Sequence, residues 1–223
     1  MTEVRLEGFG AALNPDEVDD LLQRGVRRTF RRGAFLMTEG EASDHVIVLL
    51  VGRAKISSYT AEGKEVVLAV RGPGDLLGEL SAFDGEPRLA TVSALEQIEA
   101  LIIPSERFTR FLEDHARLAI LLLQNMTRRL RESDRKRVEF GAYDTPGRVA
   151  RRLIELVERY GETEGANVRI SLSLTQDELA GWTGSSREAV SKALREFRER
   201  GWVTTGRRSI VVLDVDALKS RAL

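Results

Sequence analysis

The chain has 223 residues, no cysteine, two histidines and a formal net charge of -1. That length supports two modest domains with cores of their own, and the missing thiols exclude disulfides, thiolate-bound iron–sulfur clusters and cysteine nucleophiles. There is no basic n-region leading into an apolar core, and no apolar run approaches the ~18 residues that span a bilayer. A soluble, cytoplasmic protein without membrane contact is expected.

Asn14-Pro15-Asp16-Glu17 reads as a helix start, a polar cap followed by proline and two acids. Val18, Leu21 and Leu22 would bury one face of that helix. From Thr29 to Ile103 the texture changes to short β-rich runs, among them His45–Val51, Val66–Val70 and Ile98–Ile103. Glycines at 33, 40, 52, 63, 72, 74, 78 and 85 punctuate them. Short strands with closely spaced turns suggest a small β-barrel or jelly roll.

Pro104-Ser105-Glu106-Arg107 opens another helix, and a long one follows from Ala116 to about Phe140. In it Ala119, Leu123, Met126, Leu130, Ser133 and Arg137 recur at spacings of four and three, a coiled-coil seam that predicts a homodimer. Leu118, Leu121 and Leu122 form a second row that would pack on the β-rich part. Tyr143-Asp144-Thr145-Pro146-Gly147 breaks the periodicity and marks a boundary. Helix resumes from Arg148 to Tyr160 through Val149, Leu153, Leu156 and Val157, and Gly161–Asn167 reads as a polar loop.

The stretch from Leu174 to Leu194 carries two helix-start signals around a glycine turn. Thr175 and Glu178 form the T-x-x-E pattern of a capping box, and Gly184 supplies a residue tolerant of positive φ. Ser185 or Ser186 would cap the next helix, whose Val190, Leu194 and Phe197 face inward at i, i+4, i+7. Arg187, Glu188, Ser191, Lys192 and Arg195 share its solvent side. This is a helix-turn-helix with a recognition helix fit for a major groove. Trp202–Val212 follows as a hairpin with a basic tip, the wing of a winged helix.

Charge agrees with that division. Residues 1–145 hold 20 Lys+Arg against 24 Asp+Glu, net -4, whereas residues 146–223 hold 14 against 11, net +3. A weakly acidic front and a basic rear suit a sensor joined to an anion-binding module.

Gly78-Glu79-Leu80-Ser81-Ala82-Phe83 with Pro87-Arg88, Asp144-Thr145-Pro146-Gly147-Arg148, and Ser186-Arg187-Glu188-Ala189-Val190 together resemble the cyclic-AMP receptor and fumarate–nitrate regulator family of transcription regulators. The resemblance covers essentially the whole chain. It implies an α+β architecture: a β-roll effector domain over 1–115, a long dimerisation helix and hinge over 116–145, and a winged helix-turn-helix over 146–223. It implies double-stranded DNA with a palindromic site as partner, and admits RNA polymerase as a further one.

The resemblance also assigns effector contacts to Gly78, Glu79, Leu80, Arg88, Leu89, Ala90, Ser133 and Asp134. Glu79 would take a cyclic nucleotide's ribose hydroxyl, and Arg88 its phosphate, for which a guanidinium fork is suited. Backbone N–H groups after Pro87 would add a nest, and the purine would reach Ser133 and the partner's copy of position 134. Two positions depart from the cyclic-AMP pattern: Leu89 replaces a hydroxyl residue, and Asp134 can only accept when ionised. Cyclic AMP, another nucleotide or no ligand therefore stay open, as does a buried Glu79–Arg88 ion pair with no ligand.

On the recognition helix the resemblance gives Arg187 to guanine, Glu188 to cytosine and Lys192 to an outer base, in line with the general code. A capping box of Ser185 with Glu188 is the alternative for that acid. Thr175, Gln176, Ser186, Ser191, Arg195 and Arg207, with Arg198 and Arg208, would meet phosphates or base edges. His45 and His115 stand apart without ligand-like spacing, so no metal and no haem is expected. No nucleophile–base constellation or P-loop is present, so no enzyme is expected. A regulatory module docking on a protein partner is the competing reading.

Overall fold

The computed structural model describes residues 8–172 and 174–222. By its contacts the chain divides into two compact units. One comprises residues up to Ser58 with Leu68–Glu132, and the other Tyr59–Val67 with Ser133–Leu223.

In the first unit α1 (Pro15–Gln23) starts where the sequence places it. Asn14 accepts from the Glu17 amide at 2.9 Å and the Glu17 carboxylate accepts from the Asn14 amide at 2.8 Å, a complete capping box. Such caps contribute about 1 kcal/mol. Eight strands then follow: β1 (Val26–Phe30), β2 (Phe35–Met37), β3 (His45–Val51), β4 (Ala54–Tyr59), β5 (Glu65–Arg71), β6 (Leu76–Leu77), β7 (Thr91–Ala94) and β8 (Ile98–Pro104), the division between the units falling within β4 and β5. They form two antiparallel sheets, ordered β1-β8-β3-β6 and β2-β7-β4-β5.

The β3 sequence explains its central place. Ile47 and Leu49 point into the core between the sheets with Leu36, Met37, Val92 and Ile98. Val46 and Val48 point the other way, into a cluster with Phe108, Phe111 and Leu118. Burial on both faces is what an unbroken apolar run requires, because side chains alternate along a strand. That second cluster is roofed by α1, by α3 (Ser105–Asp114) and by the start of α4 (Ala116–Ala142).

Glu79 opens a short helix, α2 (Glu79–Asp84), bracketed by Gly78 and Gly85 at φ 78° and 73°. Only residues without a Cβ take that conformation cheaply, so two glycines both start and stop it.

Of the two rows expected on α4, the inner one packs on the β-rich part and the outer one faces away from it. Leu118 and Leu122 are buried and Leu121 packs beside them, whereas Ala119, Leu123 and Leu130 are exposed. Met126 packs in part against the unit's own core and so belongs to both rows. Ser133 and Arg137 are exposed, and Arg137 lies 3.7 Å from Asp134.

The second unit holds α5 (Thr145–Tyr160), β9 (Gly161–Glu164), β10 (Asn167–Ile170), α6 (Gln176–Thr183), α7 (Arg187–Glu199), β11 (Val203–Gly206), β12 (Ser209–Val212) and α8 (Val215–Arg221). Two boundaries differ from the sequence reading. Pro146 and Gly147 lie inside the first turn of α5, where proline loses no helical bond. Gly161–Asn167, read as a loop, contains β9 and the start of β10, the edge hairpin of a sheet ordered β11-β12-β10-β9. Val149, Leu153 and Leu156 of α5 and Val190, Leu194 and Phe197 of α7 are all fully buried, and the two helices pack on each other.

Asp144 joins this unit's two ends. Its carboxylate caps α5 through the Gly147 amide at 2.9 Å and accepts from Arg221 at 2.6 Å. The Arg221 bond, then the Gly147 bond, holds its pKa below the usual 3.8. A depressed carboxylate adds stability above its unfolded pKa and loses it as pH falls through the folded value. Asp144→Asn keeps a cap but drops the ion pair, so at neutral pH it should cost up to about 1 kcal/mol. Thermal melts should show that gap closing as pH falls below 3.8; a gap constant with pH would assign the effect to something other than the charge.

Candidate functional site

Two sites stand out, one in each unit. In the first, Arg88 is buried, and its guanidinium donates to the Gly78 carbonyl at 3.0 Å and the His45 carbonyl at 2.7 Å. Burial lowers its pKa, opposed by the Asp44, Glu79 and Glu41 carboxylates. A Cβ on Gly78 would lie 2.2 Å from Arg88 Nη1 and 2.6 Å from Met37 Cε, so glycine is needed there for space as well as for φ. The Arg88 amide donates to the Glu41 carbonyl at 2.8 Å, which takes that N–H out of the expected nest.

The buried Glu79–Arg88 pair does not form. Glu79 is buried, but its partner is Arg129 of α4, whose Nη1 donates to Glu79 Oε1 at 2.7 Å. Arg129 Nη2 donates to the Leu76 carbonyl at 2.9 Å and lies 3.7 Å from Asp75. Burial raises the Glu79 pKa, and Arg129 opposes the rise. Sequence reasoning missed Arg129. The signal available was its place one helical turn before Ser133.

Leu80 and Leu89 are exposed, Leu89 at 69%, and Ala90 is half-buried. Ser133 and Asp134 are exposed on the part of α4 that belongs to the second unit. His45 bonds Asp44 at 2.5 Å and His115 bonds Asp20 at 2.9 Å. Among the described residues no group of three or more His, Cys, Asp or Glu is placed to hold a metal ion.

In the second unit the helix-turn-helix forms as read. Thr175 accepts from the Glu178 amide at 3.1 Å while the Glu178 carboxylate accepts from the Thr175 amide at 2.7 Å. The Thr175 hydroxyl also donates to Glu178 at 2.9 Å, so its proton is spent within the cap. Gly184, at φ 60°, ends α6, and a Cβ there would lie 2.4 Å from Phe140. Ser186, not Ser185, caps α7, accepting from the Ala189 amide at 3.2 Å. Glu188 is therefore not the partner of a Ser185 capping box and faces outward.

Arg148 locks the turn between the helices. It donates to the Thr183 carbonyl at 2.8 Å, the Tyr143 carbonyl at 2.6 Å and the Ser185 hydroxyl at 3.1 Å. With Val190, Ala193, Leu194 and Phe197 buried, α7 turns one polar face outward. Arg187, Glu188, Ser191, Lys192 and Arg195 of that face line an open groove of about 390 Å³, joined by Gln176 and Arg198. Arg198 reaches the wing, donating to Thr205 at 2.9 Å. The wing turns through Arg207 and Arg208, both exposed, and Arg208 holds φ 60°. That left-handed conformation costs a side chain roughly 1–2 kcal/mol. A concave groove with three arginines, a lysine, a glutamine and a glutamate offers donors to phosphates and a mixed set to base edges.

Comparison with known proteins matches a domain model to each of the two stretches that carry these residues. A cyclic nucleotide-binding domain model matches residues 27–115, and a Crp-like helix-turn-helix domain model matches residues 147–221. The chain is 33% identical over 215 residues to a CRP-like cAMP-activated global transcriptional regulator of Mycobacterium tuberculosis, with 96% of each covered. It is 29% identical over 210 residues to the cyclic AMP receptor protein of Thermus thermophilus, with 94% of each covered. Among solved structures, the c-di-GMP responsive global regulator CLP of Xanthomonas campestris superposes with a TM-score of 0.81 at 20% identity. That match covers 89% of this chain and 99% of that one.

Proposed function

The chain belongs to the CRP/FNR family of transcription regulators, and we propose that it acts as a homodimer reading palindromic DNA under effector control. It has a cyclic nucleotide-binding domain and a DNA-binding helix-turn-helix. The outer face of α7 carries the reading. Its inner face is spent on the core, so the groove side chains are left for an external partner. In this proposal Arg187 reads guanine, Glu188 accepts from cytosine, and Lys192 reaches an outer base. Arg195, Arg198, Arg207 and Arg208 meet phosphates and set the register.

Arg187→Ala should then cost roughly 1–3 kcal/mol on the preferred site and relax the preference at one guanine. Arg207→Ala should weaken all sequences alike. Binding-site selection with the Arg187 variant checks this. An unchanged motif at unchanged affinity would remove Arg187 from base reading.

For the effector, cyclic AMP is named for the Mycobacterium relative, and it or a related nucleotide is the proposed ligand. The residues present fit a phosphate. Arg88 is fixed by two carbonyls on Nη1 and Nη2, and a guanidinium carries five N–H donors, so three of them are left to an anion. Glu79 would take a ribose hydroxyl, with Ser133 and the partner's Asp134 proposed at the purine. Leu89 adds no donor, so this pocket is proposed to bind cyclic AMP more weakly than one with a hydroxyl there. Arg129 supports a route for control. It belongs to α4 and is bonded to Glu79, so a ligand on that carboxylate changes what holds the proposed dimer helix.

A further inference from the structure

Beside the groove stands a counter-charge, Asp177, that the reading so far does not use. Arg187 Nη1 stands 3.8 Å from Asp177 Oδ2, both side chains exposed at 63% and 68%. Asp177 is the second residue of α6, and Arg187 is the first of α7, so the pair bridges the two helices of the motif. Arg195 has a similar companion in Glu199, at 4.0 Å, but within a single helix turn.

We infer that Asp177 is a positioning residue that sets DNA specificity by holding one edge of Arg187. An inference of this kind rests on the proposed guanine contact of Arg187. A guanidinium presents its donors on separate edges. With Nη1 toward Asp177, the neighbouring Nε and Nη2, which donate side by side, face guanine O6 and N7. The acid can therefore stay in place while the base is read. On DNA without the right guanine, Arg187 has only phosphates to meet, and a carboxylate beside it repels them. Asp177 thus favours the base contact over the phosphate contact, and specificity is the difference between the two.

Exposed ion pairs add little to stability, so this effect lies in binding and not in folding. Asp177→Asn should raise affinity for random-sequence DNA about threefold. It should also steepen the dependence of log affinity on log salt by about 0.9, the value of one unit of charge at the interface. Affinity for the selected site should stay level or fall, so the ratio of specific to non-specific affinity drops. Asp177→Glu should restore the wild-type ratio.

Fluorescence anisotropy across a salt series, with the selected duplex and a scrambled one, measures each quantity. Glu199→Gln is the comparison: it removes a charge from the same face and should steepen the salt slope while leaving the preference at the Arg187 guanine intact. If Asp177→Asn and Glu199→Gln behave alike, with the base preference retained in both, Asp177 is a bulk charge and the inference falls. Arg187→Ala in the same series separates the premise. If that variant keeps the motif, the guanine assignment fails; if it loses the motif while Asp177→Asn keeps the full ratio, only the positioning role fails.

Discussion

Leu130→Glu should leave a folded protein that sediments as a monomer and binds a palindromic site at least a hundredfold more weakly. Leu130 is 62% exposed and Leu123 is 66% exposed, although both lie on a helix whose other face is buried in the unit's core. With Ala119 and Met126 they keep the four-and-three spacing of the seam proposed to meet its own copy across a two-fold axis. Glutamate there would place two like charges in an apolar contact, and removing a buried charge from water costs several kcal/mol. Each monomer then offers one recognition helix instead of two tied together, and the second half-site loses its high effective concentration. Leu130 is a cleaner choice than Met126, which also contacts the unit's own core. Sedimentation velocity and anisotropy on the same samples decide it. Intact dimers for both Leu130→Glu and Leu123→Glu would move the interface off α4.

The second large effect belongs to the effector pocket. Arg88→Ala should abolish cyclic-AMP binding, with a loss of at least a hundredfold. Charge-assisted hydrogen bonds contribute about 1.5–3 kcal/mol each, and a bidentate guanidinium makes two. Gly78→Ala should mimic it without touching the arginine, because the new Cβ would lie 2.2 Å from Arg88 Nη1. Gly85→Ala separates space from backbone strain: Gly85 has φ 73° but nothing within 4 Å of its Cβ position, so it should lose stability and keep binding. Leu89→Ser should gain about tenfold, the worth of one hydroxyl bond to a phosphate. Calorimetry on the four variants tests the set. Tight wild-type binding that survives Arg88→Ala would place the ligand elsewhere.

The sequence was most legible where local chemistry and packing agree. Thr175, Glu178 and Gly184 specify the helix-turn-helix through their own short-range bonds, and the structure reproduces each. The β-roll was legible from glycine punctuation and from the run His45–Val51, whose apolar side chains need two buried faces. Four features escaped for identifiable reasons. β9 is an exposed edge strand of Gly, Glu and Thr, so it shows no apolar alternation and reads as loop. Pro146 and Gly147 are helix breakers in general but not in a first turn. Glu79 starts a helix too short for periodicity to reveal. Arg129 sits in a run of basic side chains, and only tertiary structure selects the one that turns inward to a carboxylate.

The burial of β3 on both faces has a consequence for synthesis. Its long partner is β8, paired from His45↔Pro104 to Val51↔Glu99, some fifty residues later in the chain. Until the ribosome has delivered that partner, Val46–Val51 is an uncharged, β-branched segment that pairs at most with the two-residue β6. Such segments are the ones that pair between chains. The acidic and basic residues that flank it, Asp44 and Arg53, are the gatekeepers available during that interval. Chains truncated before Ile98 should therefore aggregate more readily than the full-length chain, which turbidity of the two on refolding would show.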